Sequence, residues 1–224
     1  MPLSIGNKIT LFILIIFLCG TITSKNLGNI DLFQIKKINI QNADIIDNRI
    51  ILEKLDKYKF NNILFIKKDE IENLIFVDPS IESIKILKKY PSELNIKIDK
   101  TKILANINIQ NKNYYIGSNK KLIDSSFIDI DLPVVIGEPS IKEFFEIREL
   151  IINSNLKFNN IMKLYFFPSK RWDLEFTNGN ILRLPTLNSN VALKRYETFY
   201  KINNFSNKKI FDMRANNQLI VNEL

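Results

Sequence analysis

The 224-residue chain has no histidine, one cysteine, one tryptophan and six glycines. The missing histidine removes the commonest general base, the commonest metal ligand and every Ser-His or Cys-His nucleophile. Among so few glycines no Gly-rich phosphate loop occurs. Catalysis by carboxylates alone stays formally open, but no pattern points to a pair. The chain therefore reads as a non-enzyme that needs no metal or cofactor. A single cysteine, Cys19, forms no intrachain disulfide, which fits an oxidising or a reducing compartment equally. In its apolar surroundings it reads as a small buried hydrophobe.

Long apolar runs are also scarce. There is one, the sixteen residues from Ile9 to Ser24, free of charge and bracketed by Lys8 and Lys25. A spanning helix needs roughly 20 apolar residues, with about 17 near the lower limit. Snorkelling of Lys8 and Lys25 to the headgroups, with Asn26 and Leu27 added, lengthens the span. The run reads first as an uncleaved anchor over 9–27. A cleaved signal peptide is the second reading, although Thr21-Ile22-Thr23 is a poor cleavage site. A buried core helix is the third. A lipoprotein site would need a small residue before the cysteine, where Leu18 stands. The positive-inside rule does not settle orientation, but so short an N-terminal tail, residues 1–8, is expected in the cytoplasm.

The net charge is +8, and of all charged residues only Lys8 precedes Lys25. The lysines are dispersed and no Arg-aromatic cluster appears, so a nucleic-acid site is not indicated. A solvated surface, or attraction to anionic headgroups beside the anchor, accounts for the surplus. Ile, Asn and Lys dominate the composition, as in A/T-rich bacterial genomes, so isolated Lys and Asn residues carry little information.

Residues 33–100 carry a compact pattern. Ile38 and Ile40 alternate with polar neighbours, as in a half-buried strand. Asp47 is expected to cap a helix with Ile51, Leu55 and Tyr58 on its apolar face. A second helix starts near Asp69 with Ile71, Leu74 and Ile75, and ends before Asp78-Pro79. Ile84 and Ile86, then Leu94, Ile96 and Ile98, form two strands joined at Tyr90-Pro91-Ser92-Glu93. The order is β-α-α-β-β.

From residue 101 the pattern is mostly β. Ala105, Ile107 and Ile109 alternate with Asn106, Asn108 and Gln110, and Tyr114 to Gly117 reads as the next strand. Leu132-Pro133 and Gly137 precede a helix opened by the capping box Ser140-Ile141-Lys142-Glu143, which buries Ile141, Phe144 and Phe145. Trp172, Leu174 and Phe176 alternate inward, which assigns the lone tryptophan to the core. Asn178-Gly179 suits a type I′ turn. A helix with Ala192, Tyr196, Phe199 and Tyr200 follows, then a hairpin of Ile210–Met213 and Leu219–Val221.

The β-α-α-β-β order directly after an anchor resembles a POTRA domain. Asp78-Pro79-Ser80-Ile81-Glu82-Ser83-Ile84, followed by Lys88-Lys89-Tyr90-Pro91-Ser92-Glu93-Leu94-Asn95-Ile96, resembles a stretch of the FtsQ/DivIB family of bacterial division proteins. Asn62-Ile63-Leu64-Phe65-Ile66 is similar to that family's lead into its second helix. In the second half, Arg171-Trp172-Asp173-Leu174, Asn178-Gly179, Leu193-Lys194-Arg195-Tyr196 and Phe211-Asp212-Met213-Arg214 fall in the family's order. Departures are the missing proline after Asp99-Lys100, Ser118 where an Asp is common, and Ala215 where an aromatic is common. The resemblance implies an α+β protein. It would have an N-terminal transmembrane helix, a POTRA domain over 33–100 and a mostly antiparallel β-sheet domain with flanking helices over 101–224.

It also implies a function. The family suggests a non-catalytic, single-pass scaffold of the inner membrane, with its bulk in the periplasm at the division septum. It would link early and late division proteins and bind an FtsB–FtsL pair through the C-terminal β-domain edge. The physical means is β-augmentation, in which an edge strand offers unpaired backbone groups to a partner strand. The residues implied are Phe211, Asp212, Arg214, Ala215, Asn216, Asn217, Leu219, Ile220 and Val221. Leu219 and Val221 read first as residues that close the sheet and fill its core. A catalytic role for Asp212 and Arg214 is less in keeping than a salt bridge. On the POTRA hairpin, Lys85 and Lys88 are expected to be exposed to other division proteins, and Lys8 and Lys25 to flank the anchor. Neither nucleic acid nor a small-molecule substrate is expected. The alternative is a periplasmic POTRA chaperone or translocation module for outer-membrane substrates, which would normally carry several POTRA copies or a barrel.

Overall fold

The computed structural model describes residues 5–21, 33–41, 45–125, 129, 131–202, 209–215 and 218–223. The first helix, α1, spans Ile5–Thr21 and takes in most of the uncharged run. At about 1.5 Å per residue, its seventeen residues are short of a bilayer's hydrocarbon thickness. Among the described residues no helix is long and apolar enough to cross a membrane. The chain divides into two compact units, Met1–Lys100 and Thr101–Leu224.

In the first unit β1 (Lys37–Gln41), α2 (Ile45–Leu55), α3 (Lys68–Ile75), β2 (Ile81–Lys89) and β3 (Glu93–Lys100) follow in the β-α-α-β-β order. The sheet order is β1-β3-β2, with β1 parallel and β2 antiparallel to β3. Alternation along β3 sends Leu94, Ile96 and Ile98 inward against Ile51, Leu55, Ile71 and Ile75 of the helices. That burial drives the unit together at about 25 cal/mol per Å² of apolar surface. Asp47 lies inside α2 rather than ahead of it, so it is not the N-cap expected from the sequence. Past α3, the Asp78 carboxylate accepts from the Ser80 N–H at 2.8 Å, fixing the turn into β2.

The described residues of the second unit form one nine-stranded sheet with helices packed on it. Its strands are β4 (Ile103–Ile109), β5 (Lys112–Gly117), β6 (Leu122–Asp124), β7 (Val134–Ile136), β8 (Ile161–Phe166), β9 (Trp172–Phe176), β10 (Ile181–Arg183), β11 (Lys209–Asp212) and β12 (Ile220–Glu223). The spatial order is β12-β11-β10-β9-β8-β7-β4-β5-β6. Three of its pairings are parallel, β4–β7, β7–β8 and β10–β11. Parallel neighbours need a long crossover, and two are supplied by helices: α4 (Ile141–Asn153) between β7 and β8, and α5 (Ser189–Ile202) between β10 and β11. Phe144, Ile147 and Ile151 of α4, with Ala192, Leu193 and Tyr196 of α5, bury against the sheet's inward residues. Trp172 is among those, with its ring 4.7 Å from that of Phe166.

Three local details differ from the sequence reading. Asn106, expected to face solvent, is 2% exposed. Its amide oxygen accepts from the Asp129 N–H at 3.0 Å, and its Nδ2 donates to the Asp129 and Leu132 carbonyls. A type I′ turn would need positive φ at Asn178 as well as Gly179, and only Gly179 has it, at 82°. The turn instead closes with Gly179 N–H on the Phe176 carbonyl and Phe176 N–H on the Asn180 carbonyl. The terminal hairpin pairs Lys209–Asp212 with Ile220–Glu223, so Leu219 falls before its second strand.

The capping box forms as expected. Ser140 Oγ accepts from the Glu143 N–H, and a Glu143 carboxylate oxygen accepts from the Ser140 N–H at 2.9 Å. These bonds from Ser140, with Lys170 nearby, hold the Glu143 carboxyl below its usual range. Such a cap contributes about 1 kcal/mol. Ser140→Ala is therefore expected to lower the urea stability of the second unit by about that amount, read by the fluorescence of Trp172, the one tryptophan in the chain. Glu143→Gln should weaken the same transition near neutral pH. Because the folded pKa is depressed, its difference from the parent shrinks as the pH falls through the carboxylate range.

Candidate functional site: the terminal sheet edge

β12 is an edge strand of the nine-stranded sheet, paired only with β11 among the described residues. All four of its residues are exposed, Ile220 at 46% and Val221 at 36%. An exposed edge leaves a row of backbone N–H and C=O groups free to pair with another chain. Beside it, a mostly apolar groove runs between α5 and the chain leading into β12, lined by Val191, Phe199, Ile202, Met213 and Leu219 together with Lys194, Arg195, Thr198 and Gln218.

The site residues expected from the sequence divide sharply here. Ile220 and Val221 stand on the edge, and Ala215 is exposed just before it. Leu219 is half-buried and packs against the core. Phe211 is a correction: its ring is fully buried, edge-on to Tyr196 at 5.0 Å, and is no contact side chain. Truncating such a ring typically costs about 3–5 kcal/mol, so a Phe211→Ala defect would be a folding defect. Asn216, Asn217 and Lys25 lie outside the described residues, as does the side chain of Lys8 in α1. On the first unit Lys85 is exposed. Lys88, expected exposed, is half-buried, and its ammonium donates to the Ile66 carbonyl at 2.7 Å and the Leu64 carbonyl at 3.3 Å. Its pKa is lowered by that burial and by the charge of Lys68.

Asp212 and Arg214 form a salt bridge, the reading the sequence favoured over a catalytic pair. Arg214 Nε lies 2.9 Å from both Asp212 oxygens. The bridge is part of a larger array the sequence did not disclose. Arg183 on β10 lies directly opposite Asp173 on β9 and directly opposite Asp212 on β11. Its guanidinium is 4.0 Å from Asp173 and 3.7 Å from Asp212. Arg171 binds Asp173 from the far side at 3.1 Å. The result is a row of alternating charge, Arg171–Asp173–Arg183–Asp212–Arg214, on the face of the sheet away from its core. Burial pushes the Asp173 carboxyl up against the pull of Arg171 and Arg183. The Arg214 hydrogen bonds hold the Asp212 carboxyl below its usual range despite burial. At the other end of the same ladder, the amide oxygen of buried Asn180 accepts from the Lys209 N–H at 3.0 Å. Neither Arg183 nor Asn180 carries a sequence signal of this role, because the pairing exists only once β11 lies parallel on β10.

What these features describe is a mixed α+β protein with a POTRA-like unit, followed by a sheet unit that ends in an open strand. Two family models match it: "POTRA domain, FtsQ-type" over residues 33–100, and "Cell division protein FtsQ/DivIB, C-terminal" over residues 105–214. The chain belongs to the FtsQ/DivIB family of cell-division proteins. It is 23% identical over 192 residues to the cell division protein FtsQ of Rickettsia bellii, covering 84% of this chain and 72% of that one. It is 33% identical over 116 residues to the cell division protein DivIB of Clostridium botulinum, covering 51% of this chain and 43% of that one. The solved extracytoplasmic domain of DivIB from Geobacillus stearothermophilus aligns with a TM-score of 0.34 at 12% identity, over 48% of this chain and 99% of that chain. At that distance it adds nothing to the family models.

Two outcomes follow for the charged row. Arg183→Met is expected to speed hydrogen exchange in 209–213 and 220–223 more than in 172–176, with a loss of about 1 kcal/mol, since these contacts are long and partly solvated. Equal acceleration across the sheet would show that Arg183 has no special hold on the terminal strands. Asp212→Asn is expected to destabilise the second unit at pH 7. The depressed pKa makes this contribution full above the unfolded value, so the gap from the parent narrows as the pH falls below about 4. A urea series from pH 7 to pH 3 reads it.

Proposed function

We propose that this protein is a non-catalytic divisome scaffold that binds an FtsB–FtsL-type pair by adding a partner strand to β12. The observation that carries the reading is the exposed, four-residue edge at the end of a wide sheet. Partner main-chain groups would supply the hydrogen bonds, and alternate side chains would meet Ile220 and Asn222 on one face and Val221 and Glu223 on the other. The groove along α5 lies next to that edge and offers apolar surface for the rest of the partner. In this reading the Asp212–Arg214 bridge and exposed Ala215 lead into the edge, and Asn216 and Asn217 remain partner contacts expected from the sequence.

The same reading takes residues 9–27, of which 9–21 lie in α1, as an uncleaved inner-membrane anchor with Lys8 and Lys25 at its flanks. The N-terminus would be cytoplasmic and residues 33–224 periplasmic at the septum. The supports are the apolar composition of the helix and the family. The first unit would meet other division proteins, with Lys85 as the remaining exposed candidate on its hairpin. No small molecule or nucleic acid enters this account.

Deleting Gln218–Leu224 from the full chain is expected to lower its affinity for an FtsB–FtsL pair at least tenfold, which is about 1.4 kcal/mol. The Trp172 unfolding transition should persist. A folded, truncated chain that binds undiminished would reject the edge as the site.

A further inference from the structure

The turn between α2 and α3 exposes large apolar side chains. Phe60 is 71% exposed, Phe65 56% and Leu64 37%. Phe60 also takes φ of +66°, a region a bulky side chain rarely adopts. A glycine or asparagine would hold that backbone with less strain. The turn is nevertheless firmly built. Ile63 within it is fully buried, and the Lys88 ammonium ties down the Leu64 and Ile66 carbonyls. The apolar side chains are therefore presented outward from a fixed base.

The flanking charge is four lysines with Asp56, Asp69 and Glu70 outside them. Lys57, Lys59, Lys67 and Lys68 are all exposed, and no carboxylate lies between Lys57 and Lys68. The flanking Asp56 and Glu70 pair with Lys59 and Lys67.

The turn also lies where the chain enters the first unit from α1. Phe60 N–H donates to the Ile35 carbonyl at 3.0 Å, and Ile63 N–H donates to the Phe33 carbonyl at 2.8 Å. Eleven residues separate Thr21 from Phe33. At about 3.5 Å per residue they hold that point within about 40 Å of the end of α1.

We propose that the turn Lys59–Ile66 is a lipid-contact surface. Phe60, Leu64 and Phe65 seat in the boundary between headgroups and acyl chains of an anionic bilayer, and the flanking lysines meet phosphate headgroups. Exposed aromatics ringed by lysine match the chemistry of that boundary. The place of the turn, at the entry from α1, favours lipid over a protein partner more than its charge does, since Asp56 and Glu70 partly offset Lys59 and Lys67. The inference rests on the reading of α1 as an anchor. It makes the first unit lean on the membrane rather than swing on a free tether.

The test uses the full chain with Cys19→Ser, carrying a nitroxide at Phe60→Cys or, as a control, at Val77→Cys. Val77 is 73% exposed and lies beyond the far end of α3. The protein is reconstituted into vesicles of phosphatidylethanolamine and phosphatidylglycerol. The expected result is a label at 60 shielded from a water-soluble nickel chelate and open to oxygen, while the label at 77 stays aqueous. Adding Phe65→Ser with Lys57→Glu and Lys68→Glu should return the label at 60 to water. A label at 60 as aqueous as that at 77, in a chain that resists carbonate extraction, would overturn the lipid contact and leave the anchor standing. Release of the chain by carbonate would overturn both.

Discussion

A three-residue parallel ladder holds the end of this sheet together. β12 is attached to β11, and β11 meets the rest of the sheet through Ile181–Arg183 paired with Ile210–Asp212. Parallel pairs of that length are weak on their own. The ladder is fixed at both ends, by Asn180 on the Lys209 N–H and by Arg183 between two aspartates, with Phe211 buried between them. A slip of one residue would turn Phe211 outward and bring Asp212 to the core face. Register here is therefore specified by charge on one face and by an aromatic on the other.

That arrangement explains why the terminal strand can be both exposed and ordered. The helical crossover α5 brings the chain back parallel, and its aromatics clamp Phe211: Tyr196 at 5.0 Å and Phe199 and Tyr200 at 6.4 Å. The edge beyond carries only surface residues. An exposed edge is an aggregation hazard unless it is short or covered. Four residues, one of them the charged Glu223 paired with Lys209 across the hairpin, keep this one short and partly blunted.

Much of the fold was legible because the core obeys simple periods. Leu94, Ile96 and Ile98 read as a strand and are one. Ile71, Leu74 and Ile75 read as a helix face, and Ser140 with Glu143 read as a cap. β8 was missed for a physical reason. A bulge between Ile161 and Lys163 breaks its alternation, so the buried residues are Ile161 and Leu164, three apart. β6 has only three residues and no inward stripe. At the site, the location of the terminal hairpin was readable from its Ile, Leu and Val residues. The burial of Phe211 and Asp173 was not, since it depends on which strands become neighbours. The same holds for Lys88, whose carbonyl partners lie more than twenty residues away.

The proposed scaffold role rests on β12 as the place where a partner strand adds. Hydrogen exchange of the full chain, with and without an FtsB–FtsL pair, tests this at single-segment resolution. New backbone protection should appear in 220–223 and extend to the outer face of α5, with 103–117 at the opposite part of the sheet unchanged. Binding that leaves 220–223 exchanging as in the free chain would contradict it.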